Sequence, residues 1–333
     1  MGNYLPQADR SKQGQKDGKS ERLEFGACAM QGWRQQMEDA HLSIVGFNGK
    51  DESLFAVFDG HGGREVAAFS KQNFPKIFSN SPHYLSGEIS KAMTATYLEL
   101  DELLSHPSTS PEASDGSERS PRSRWESVGC TAVSAFIKSG KIYVANCGDS
   151  RVVLCRRGVA VPLTVDHKPG LPAEKKRILA AGGVVLHGRV NGNLNLSRAI
   201  GDFAFKSPSM APEAQMITCV PEISQHEISD DDEFLVIACD GVWELWDSQA
   251  VCDFIKQRMR RTEPLSRLVG ELLDSACSQS LRQGGGLGLD NLSCILIDLR
   301  PGKELLPDSE DKPKPRLSQL VEEDDDSDDE ADA

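Results

Sequence analysis

The sequence predicts one large domain of the α+β class. Its 333 residues suffice for one large domain or two small ones, and 38% hydrophobic residues with 29 glycines suit a turn-rich globular chain. Short apolar segments of strand length occur in runs, and segments with helical periodicity occur in separate runs. This arrangement favours a layered α+β fold.

Each predicted element has its own signal in the sequence. Six apolar segments are bounded by turn residues and read as strands, at 54–58, 132–137, 142–146, 152–155, 234–239 and 294–299. Five longer segments read as helices, at 64–78, 86–104, 173–181, 248–259 and 264–280. In the last of these the apolar residues recur at helical spacing, as Leu265, Leu268, Leu272, Leu273 and Ala276.

The composition divides the chain into three parts. Residues 1–20 are rich in Gln, Lys and Gly and predict a flexible arm, whereas residues 21–300 alternate apolar stretches with turns and predict the folded domain. Within that domain, residues 105–124 are rich in Ser, Pro and Glu and predict a low-complexity surface insertion. Residues 301–333 read as a linker followed by an acidic tail.

Charge and cysteine content narrow the classes of function. The net charge is −14, and nine of the acids lie after residue 320 in a stretch without a base, a balance that disfavours nucleic acid as a ligand. The nine cysteines form an odd set without a Cys-x-x-Cys pair, which favours a reducing compartment over a disulfide framework. We therefore expect a cytoplasmic protein, with the nucleus as a second location.

Three acids stand at the ends of predicted strands. The first and fifth strands each run into an Asp-Gly pair, Asp59 with Gly60 and Asp240 with Gly241, and Asp290 precedes the sixth strand. If the sixth strand runs antiparallel to the others, the three carboxylates converge without nearby bases. A hard divalent cation then relieves their repulsion, and oxygen-only ligation favours magnesium or manganese. Either pair taken alone is more often a simple turn.

Further polar residues near these pairs have suitable chemistry. Arg34 has a planar fork of donors that fits a phosphate, and Glu38 offers another oxygen for a metal. His61 follows Asp59 by two residues and is a candidate proton donor to a leaving alkoxide. Asp149 lies in the turn of a predicted hairpin between the third and fourth strands. In isolation, each of these residues is more often structural.

Eight motifs occur in one consistent order between residues 23 and 299. They are QGWRQQMEDAH (31–41), FAVFDGHGG (55–63), GCTA (129–132), ANCGDSR (145–151), RVNGNL (189–194), LSRAIGDF (196–203), CDGVWE (239–244) and DN (290–291). This ordered set resembles the metal-dependent type 2C serine/threonine protein phosphatases, the PPM family. The resemblance implies a central sandwich of two antiparallel β-sheets flanked by pairs of antiparallel α-helices, with the metal site at one rim.

The resemblance also implies roles for individual residues and two Mn²⁺ or Mg²⁺ ions per subunit. In the implied site Asp59 bridges the ions, Asp240 and Asp290 complete the first, Glu38 and the Gly60 carbonyl serve the second, and Asp39 holds metal-bound water. Arg34 would grip the substrate phosphate, and His61 would act as the general acid. Asp149 and Glu244 would hold a third, weaker ion, although members of the family often have Asp at position 244. Residues 165–184 resemble the flap that borders the site.

The predicted activity is metal-dependent hydrolysis of phosphoserine and phosphothreonine in phosphorylated proteins, by a water or hydroxide that bridges two cations. One alternative is a cysteine phosphatase, because Cys28 with Arg34 and Cys252 with Arg258 both show Cys-x5-Arg spacing. A second alternative is a scaffold that binds partners without catalysis. We expect a monomer, with weak membrane association if Gly2 is acylated.

Overall fold

Two stacked antiparallel β-sheets form the centre of the molecule, and helices cover the outer face of each. The structure is a computed structural model that describes residues 4–106, 121–259, 263–281, 286–310 and 312. Within these residues the strands are β1 (Tyr4–Lys19), β2 (Glu24–Arg34), β3 (Ala40–Val45), β4 (Glu52–Phe58), β5 (Gly60–His61), β6 (Gly129–Cys130), β7 (Ala132–Lys138), β8 (Lys141–Cys147), β9 (Arg151–Arg156), β10 (Val159–Pro162), β11 (Val185–Leu186), β12 (Arg189–Val190), β13 (Ile200–Gly201), β14 (Glu222–Glu227), β15 (Asp232–Ala238) and β16 (Leu292–Asp298). The helices are α1 (Glu65–Asn80), α2 (Pro82–Leu85), α3 (Ile89–Ser105), α4 (Pro121–Arg124), α5 (Pro172–Ala180), α6 (Asp240–Trp243), α7 (Ser248–Arg258) and α8 (Leu265–Ala276).

The two large sheets contain six and five strands. The six-stranded sheet has the order β1-β2-β16-β15-β9-β10, and the five-stranded sheet has the order β14-β8-β7-β4-β3. All neighbouring strands in both sheets run antiparallel. A three-stranded sheet, β13-β6-β5, and a two-stranded sheet, β11-β12, complete the topology of the described residues. Every strand predicted from the sequence is present, with ends shifted by no more than a few residues.

Three apolar layers hold the sandwich together. Between the sheets, inward-facing residues such as Phe25, Phe55 and Leu235 form a continuous buried cluster. A second cluster lies between the five-stranded sheet and α1 to α3, and a third lies between the six-stranded sheet and α6 to α8. The five residues at helical spacing in α8 are all buried, as predicted, and a fully buried leucine contributes roughly 1.5–3 kcal/mol. The predicted four-layer α/β/β/α fold is confirmed.

The prediction of a flexible arm at residues 1–20 is wrong. Tyr4–Lys19 forms β1, which pairs with β2 along most of its length. Polar contacts to α8 hold it from the side, since Lys12 Nζ lies 2.6 Å from Asp274 Oδ1 and Asp17 accepts the amide hydrogen of Ser266 at 2.8 Å. Backbone pairing and charge pairs stabilise this edge strand, so its side chains can be polar. The sequence therefore shows no apolar pattern that would predict a strand here.

The folded domain also extends beyond the predicted boundary at residue 300. The Leu306 amide donates to Glu233 at 2.8 Å, and Asp308 pairs with Lys256 at 2.7 Å. Lys312 lies 2.5 Å from Asp253. These contacts place the first part of the predicted linker against the domain. Of the predicted insertion at 105–124, residues 107–120 lie outside the described residues, and Pro121–Arg124 forms α4. The acidic tail and Gly2 also lie outside the described residues. Among the residues that the structure describes, no helix has the length and apolar character that a membrane span requires.

Candidate metal centre

One rim of the sandwich collects the three acids that follow or precede core strands. Asp59 follows β4, Asp240 begins α6 two residues after the end of β15, and Asp290 lies two residues before β16. Strands β15 and β16 run antiparallel, so the start of one meets the end of the other, as the convergence argument requires. The three acids line a cavity of about 280 Å³.

Asp149 reaches the same cavity from a connection between the two sheets. The predicted hairpin between residues 142–146 and 152–155 is wrong, because β8 belongs to the five-stranded sheet and β9 to the six-stranded sheet. The turn between them therefore crosses the sandwich at the rim. This crossing places Asp149 beside acids that come from both sheets, which a local hairpin would not do.

The carboxylates form two overlapping groups that share Asp240. Oxygen atoms of Asp59, Asp149 and Asp240 all lie within 4.8 Å of one another, and so do oxygen atoms of Asp240, Glu244 and Asp290. Glu38 and Gly60 line the same cavity. The structure thus brings the predicted metal-binding residues to one place. Glu244 also accepts a hydrogen bond from the Gly288 amide at 3.3 Å, which holds it near the rim.

The glycines of the two Asp-Gly pairs are required by crowding. A Cβ on Gly60 would lie 2.3 Å from the Glu38 carbonyl oxygen, and a Cβ on Gly241 would lie 2.1 Å from the Asn291 carbonyl oxygen. Both contacts are with backbone atoms, which cannot rotate away. Neither glycine has a positive φ. These glycines let two chain segments approach closely at the rim.

Burial and mutual repulsion make the acids resist ionisation. Burial raises the pKa of Asp59 well above its ordinary value, and the charges of Asp39 and Asp240 raise it further. Burial likewise raises the pKa of Asp240, with added repulsion from Asp149 and Asp290. A bound cation would offset both effects, so these shifts indicate a site built for positive charge.

Asp39 and Cys239 form a buried pair of groups behind Asp59. Both carboxylate oxygens of Asp39 are buried and make no hydrogen bond to any described residue. Burial raises the pKa of Asp39, and the charge of Asp290 adds to the shift. The Cys239 sulfur lies within 4.8 Å of carboxylate oxygens of Asp39 and Asp59. Sequence reasoning did not identify Cys239 as a neighbour of these acids. Burial and these carboxylates raise the pKa of the Cys239 thiol, which keeps it protonated.

The expectation that the acids lack nearby bases is wrong. Arg34 Nη2 donates to Asp290 Oδ2 at 2.6 Å, and Lys168 Nζ lies 2.5 Å from Asp149 Oδ2. Lys168 lies in the predicted flap segment and was not singled out from the sequence. Each base neutralises an acid at the edge of the group, and Asp59 at its centre has no such partner among the ion pairs of the described residues.

Asn291 fixes the loop that carries Glu38. Its Oδ1 accepts the Glu38 amide hydrogen at 2.9 Å, and its Nδ2 donates to the carbonyls of Gln31 and Gln36 at 2.8 and 3.1 Å. Three hydrogen bonds from one side chain hold the end of β2 against the start of β16. Burial raises the pKa of Glu38, which is consistent with a carboxylate at the edge of a cation site.

His61 lines the cavity and has a buried acidic partner. Its Nε2 lies 2.7 Å from Asp202 Oδ2. Burial acts to lower the pKa of His61, but the charge and hydrogen bond of Asp202 outweigh it, so the pKa is raised. Asp202 falls within a motif noted in the sequence, yet nothing there assigned it a role because its partner is 141 residues away.

Comparison with known proteins agrees with this geometry. The family profile described as "Protein phosphatase 2C" matches residues 23–283. The chain belongs to the protein phosphatase 2C family. The predicted membership of this family is thereby confirmed.

Similar proteins come from organisms as different from each other as Aspergillus flavus and Paramecium tetraurelia. "Protein phosphatase 2C homolog 2" of Aspergillus flavus is 44% identical over 294 residues, which cover 84% of this chain and 64% of that protein. "Probable protein phosphatase 2C 6" of Paramecium tetraurelia is 41% identical, with 90% of this chain and all of that protein covered. The chain thus spans about two thirds of the fungal relative and the full length of the Paramecium one.

Solved structures confirm the fold. A serine-threonine phosphatase 2C from Toxoplasma gondii superposes with a TM-score of 0.70 at 19% sequence identity, covering 89% of this chain and 98% of that one. A Caenorhabditis elegans sex-determining protein superposes with a TM-score of 0.67 at 26% identity, covering 85% of this chain and 66% of that one. At such low identity the T. gondii structure supports the fold alone.

The structure argues against a cysteine phosphatase. Cys28 and Cys252 are fully buried, and neither lines the acidic cavity. Burial raises the pKa of Cys28, and a contact with the Cys155 thiol, together with burial, raises the pKa of Cys252. Both thiols therefore stay protonated and out of reach of a substrate, whereas a cysteine nucleophile must be an accessible thiolate.

Proposed function

We propose that this chain hydrolyses phosphoserine and phosphothreonine esters of proteins in the acidic cavity at the rim of the sandwich. The observation that carries the proposal is the convergence of Asp59, Asp240 and Asp290, delivered by three core strands, with Arg34 and His61 on the same cavity wall. A cluster of carboxylates alone would repel a phosphate dianion. The site therefore works on phosphate only if cations bind there first.

The donor set fits hard divalent cations. The ligands would be oxygen atoms of Asp59, Asp240, Asp290, Glu38 and the Gly60 carbonyl, which suits two Mg²⁺ or Mn²⁺ ions. Asp149 and Glu244 each belong to a carboxylate group that includes Asp240, and they are candidates for a third, weaker ion. When bound, these ions would supply an activated water for attack and would neutralise the phosphate. The buried carboxylate of Asp39 would accept a hydrogen bond from water in this site.

Arg34 orients the phosphate in this proposal. Its side chain is 45% exposed and its planar fork can engage two phosphate oxygens at once. In the structure the guanidinium pairs with Asp290, so a phosphate and the Asp290 carboxylate compete for it. A cation on Asp290 would weaken that pair and free Arg34 for the substrate.

His61 protonates the oxygen of the leaving serine or threonine. As the ester P–O bond breaks, its electron pair stays on the alkoxide oxygen, which is a poor leaving group without a proton. The imidazolium form of His61 carries that proton, and the contact with Asp202 favours this form. No covalent intermediate on the protein is needed, because the oxygen of water forms the new bond to phosphorus.

Replacement of Asp59 tests the proposal. Asp59→Asn keeps the shape of the side chain but removes the negative charge at the centre of the acidic group. We therefore expect phosphatase activity to fall by at least ~1,000-fold. The measurement is p-nitrophenyl phosphate turnover with manganese, with circular dichroism to confirm the fold. The matched control is Asp231→Asn, a surface acid that pairs with Arg157 and should leave turnover near that of the native protein. Native-like turnover by Asp59→Asn contradicts the proposal.

We extend the proposal to partners and location. The substrates are phosphorylated proteins, the chain acts as a monomer, and it works in the cytoplasm and nucleus. Nine free cysteines support a reducing compartment. Acylation of Gly2 would add weak membrane association, and a native mass spectrum without a myristoyl group on Gly2 would contradict this part.

A further inference from the structure

A small sheet beside the cavity brings His61 and Asp202 together from distant parts of the chain. Strands β5, β6 and β13 form this sheet, with His61 opposite Gly129 and Gly129 opposite Gly201. His61 ends one outer strand, and Asp202 directly follows the other. The central strand thus separates the two residues by a single glycine.

Gly129 leaves the space in which the two side chains meet. A Cβ at this position would lie 2.3 Å from Asp202 Oδ2 and 2.8 Å from His61 Nε2. Any other residue would therefore push the carboxylate and the imidazole apart. Above this glycine, His61 Nε2 and Asp202 Oδ2 lie 2.7 Å apart, and Asp202 is 1% exposed.

The backbone holds Asp202 in an uncommon conformation. Its φ of 52° and ψ of 47° lie in the left-handed region, which residues other than glycine seldom adopt. The Asp202 amide donates to the Val128 carbonyl at 3.1 Å, and the next amide, of Phe203, donates to Trp125 at 3.0 Å. On the preceding side, Asp101 accepts the Gly201 amide hydrogen at 2.8 Å. The surrounding structure thus fixes the direction of the Asp202 carboxylate.

We infer that Asp202 is a positioning residue for His61, holding the imidazole by Nε2 so that Nδ1 delivers the proton to the leaving alkoxide. This inference rests on the proposed role of His61 as general acid. During the reaction Asp202 keeps its hydrogen bond to Nε2. The proton moves from Nδ1 to the serine or threonine oxygen as the P–O bond breaks, and His61 becomes neutral.

The dependence on the leaving group separates positioning from a structural role. A phosphothreonine peptide releases an alkoxide that needs a proton, whereas p-nitrophenyl phosphate releases a stable phenolate that does not. We expect Asp202→Asn to lower kcat for the peptide about 10- to 100-fold more than kcat for p-nitrophenyl phosphate. His61→Gln should show the same bias, and adding Asp202→Asn to His61→Gln should cause no further loss on the peptide.

Asp101→Asn is the matched control for disturbance of the small sheet. Asp101 supports Gly201 and pairs with Lys206 at 2.6 Å, but it does not touch His61. Its replacement should lower the two activities by the same factor. The ratio of activities within one preparation is independent of the folded fraction. If Asp202→Asn yields no folded protein, Asp202→Gly suits the left-handed conformation and provides the same comparison.

Two outcomes separate this inference from the proposed function. If His61→Gln shows the leaving-group bias and the Asp202 variants lower both activities equally, Asp202 is structural and the inference is wrong. If His61→Gln itself lowers both activities equally, the general-acid role of His61 fails, and the inference fails with it. A further loss on the peptide when both residues are changed also contradicts action through His61.

Discussion

Arg34 is the residue whose two possible partners decide how substrate binds. Its guanidinium pairs with Asp290 at 2.6 Å, and in the proposed function a phosphate takes over this contact. The charge-assisted hydrogen bonds at stake contribute about 1.5–3 kcal/mol each, so we expect Arg34→Ala to lower kcat/KM for a phosphothreonine peptide about 10- to 100-fold. Steady-state kinetics measure this directly.

Arg34→Lys is the informative companion to this change. Lysine keeps the positive charge beside Asp290 but lacks the planar fork, so its kcat/KM should fall between that of the native protein and that of Arg34→Ala. An unchanged kcat/KM in Arg34→Ala would show that the phosphate is held by other groups.

Residues with a local sequence signal were predicted well, and residues defined by distant partners were not. Asp59 and Asp240 stand out because each follows a buried apolar strand and precedes a glycine. Four residues of the site have no such local signal, because only their contacts in the folded chain connect them with the site: Lys168, Cys239, Asn291 and Asp202. Asp202, for example, meets His61 across a sheet assembled from three separate segments.

At the scale of elements, β1 depends on contacts with α8. Arg10 donates from Nη1 to the Asp274 carbonyl at 2.9 Å, and from Nη2 to the carbonyls of Cys277 and Ser278 at 3.1 and 3.0 Å. These carbonyls lie at the end of α8, where intrahelical donors are lacking. The arginine therefore both caps the helix and secures the edge strand.

Removal of the Arg10 side chain should destabilise this junction. We expect Arg10→Ala to lower the free energy of unfolding by about 1–2 kcal/mol, because partly buried carbonyls lose charged donors. Urea denaturation measures the change, and Lys19→Ala, an exposed position at the end of the same strand, is the matched control. Equal stability of the two variants would mean that water replaces Arg10 at no cost.

Helix α5 is held to the domain by a buried carboxylate. Glu174 is 3% exposed and pairs with Arg198 at 2.7 Å and Arg177 at 2.8 Å. Burial opposes ionisation, but hydrogen bonds from Arg198 and Ser197 dominate and lower the pKa of Glu174 to about 2. Because the folded-state pKa lies below the unfolded-state value of about 4.5, this contribution is present above pH 4.5 and is lost as the pH falls toward 2.

Glu174→Gln should therefore destabilise the protein in a pH-dependent way. At pH 7 we expect a loss on the order of 3 kcal/mol, since two arginines lose their buried counter-charge. The difference from the native protein should narrow by on the order of 1 kcal/mol between pH 6 and pH 3.5. Urea denaturation across this range tests it, with Glu227→Gln as an exposed control. A difference that is constant with pH would contradict the assignment.

The elements themselves were predictable where the pattern was apolar. The strands β4, β7, β8, β9, β15 and β16 are mostly buried apolar segments, and the sequence indicates each of them. Strand β2 was missed, although it is buried and central, because its small residues and glycines give no strand pattern. Strand β1 was missed because pairing with β2 overrides a polar composition that by itself predicts no structure.

At the scale of the whole molecule, the acidic site exists only when both sheets are assembled. Asp59 comes from the five-stranded sheet, Asp240 and Asp290 come from the six-stranded sheet, and Asp149 lies on the connection between them. The stacking of the sheets, driven by the apolar layer between them, brings mutually repelling carboxylates together. The free energy of burial thus offsets a charge repulsion that a bound cation would relieve.

Phosphate release from a phosphothreonine peptide tests the central claim most directly. The assay is run with manganese, with magnesium and with EDTA, on protein shown to be folded. We expect release with manganese or magnesium and loss of release with EDTA, and we expect release to return when the metal is added back. Release that persists in EDTA, or no release with either metal, would contradict the account.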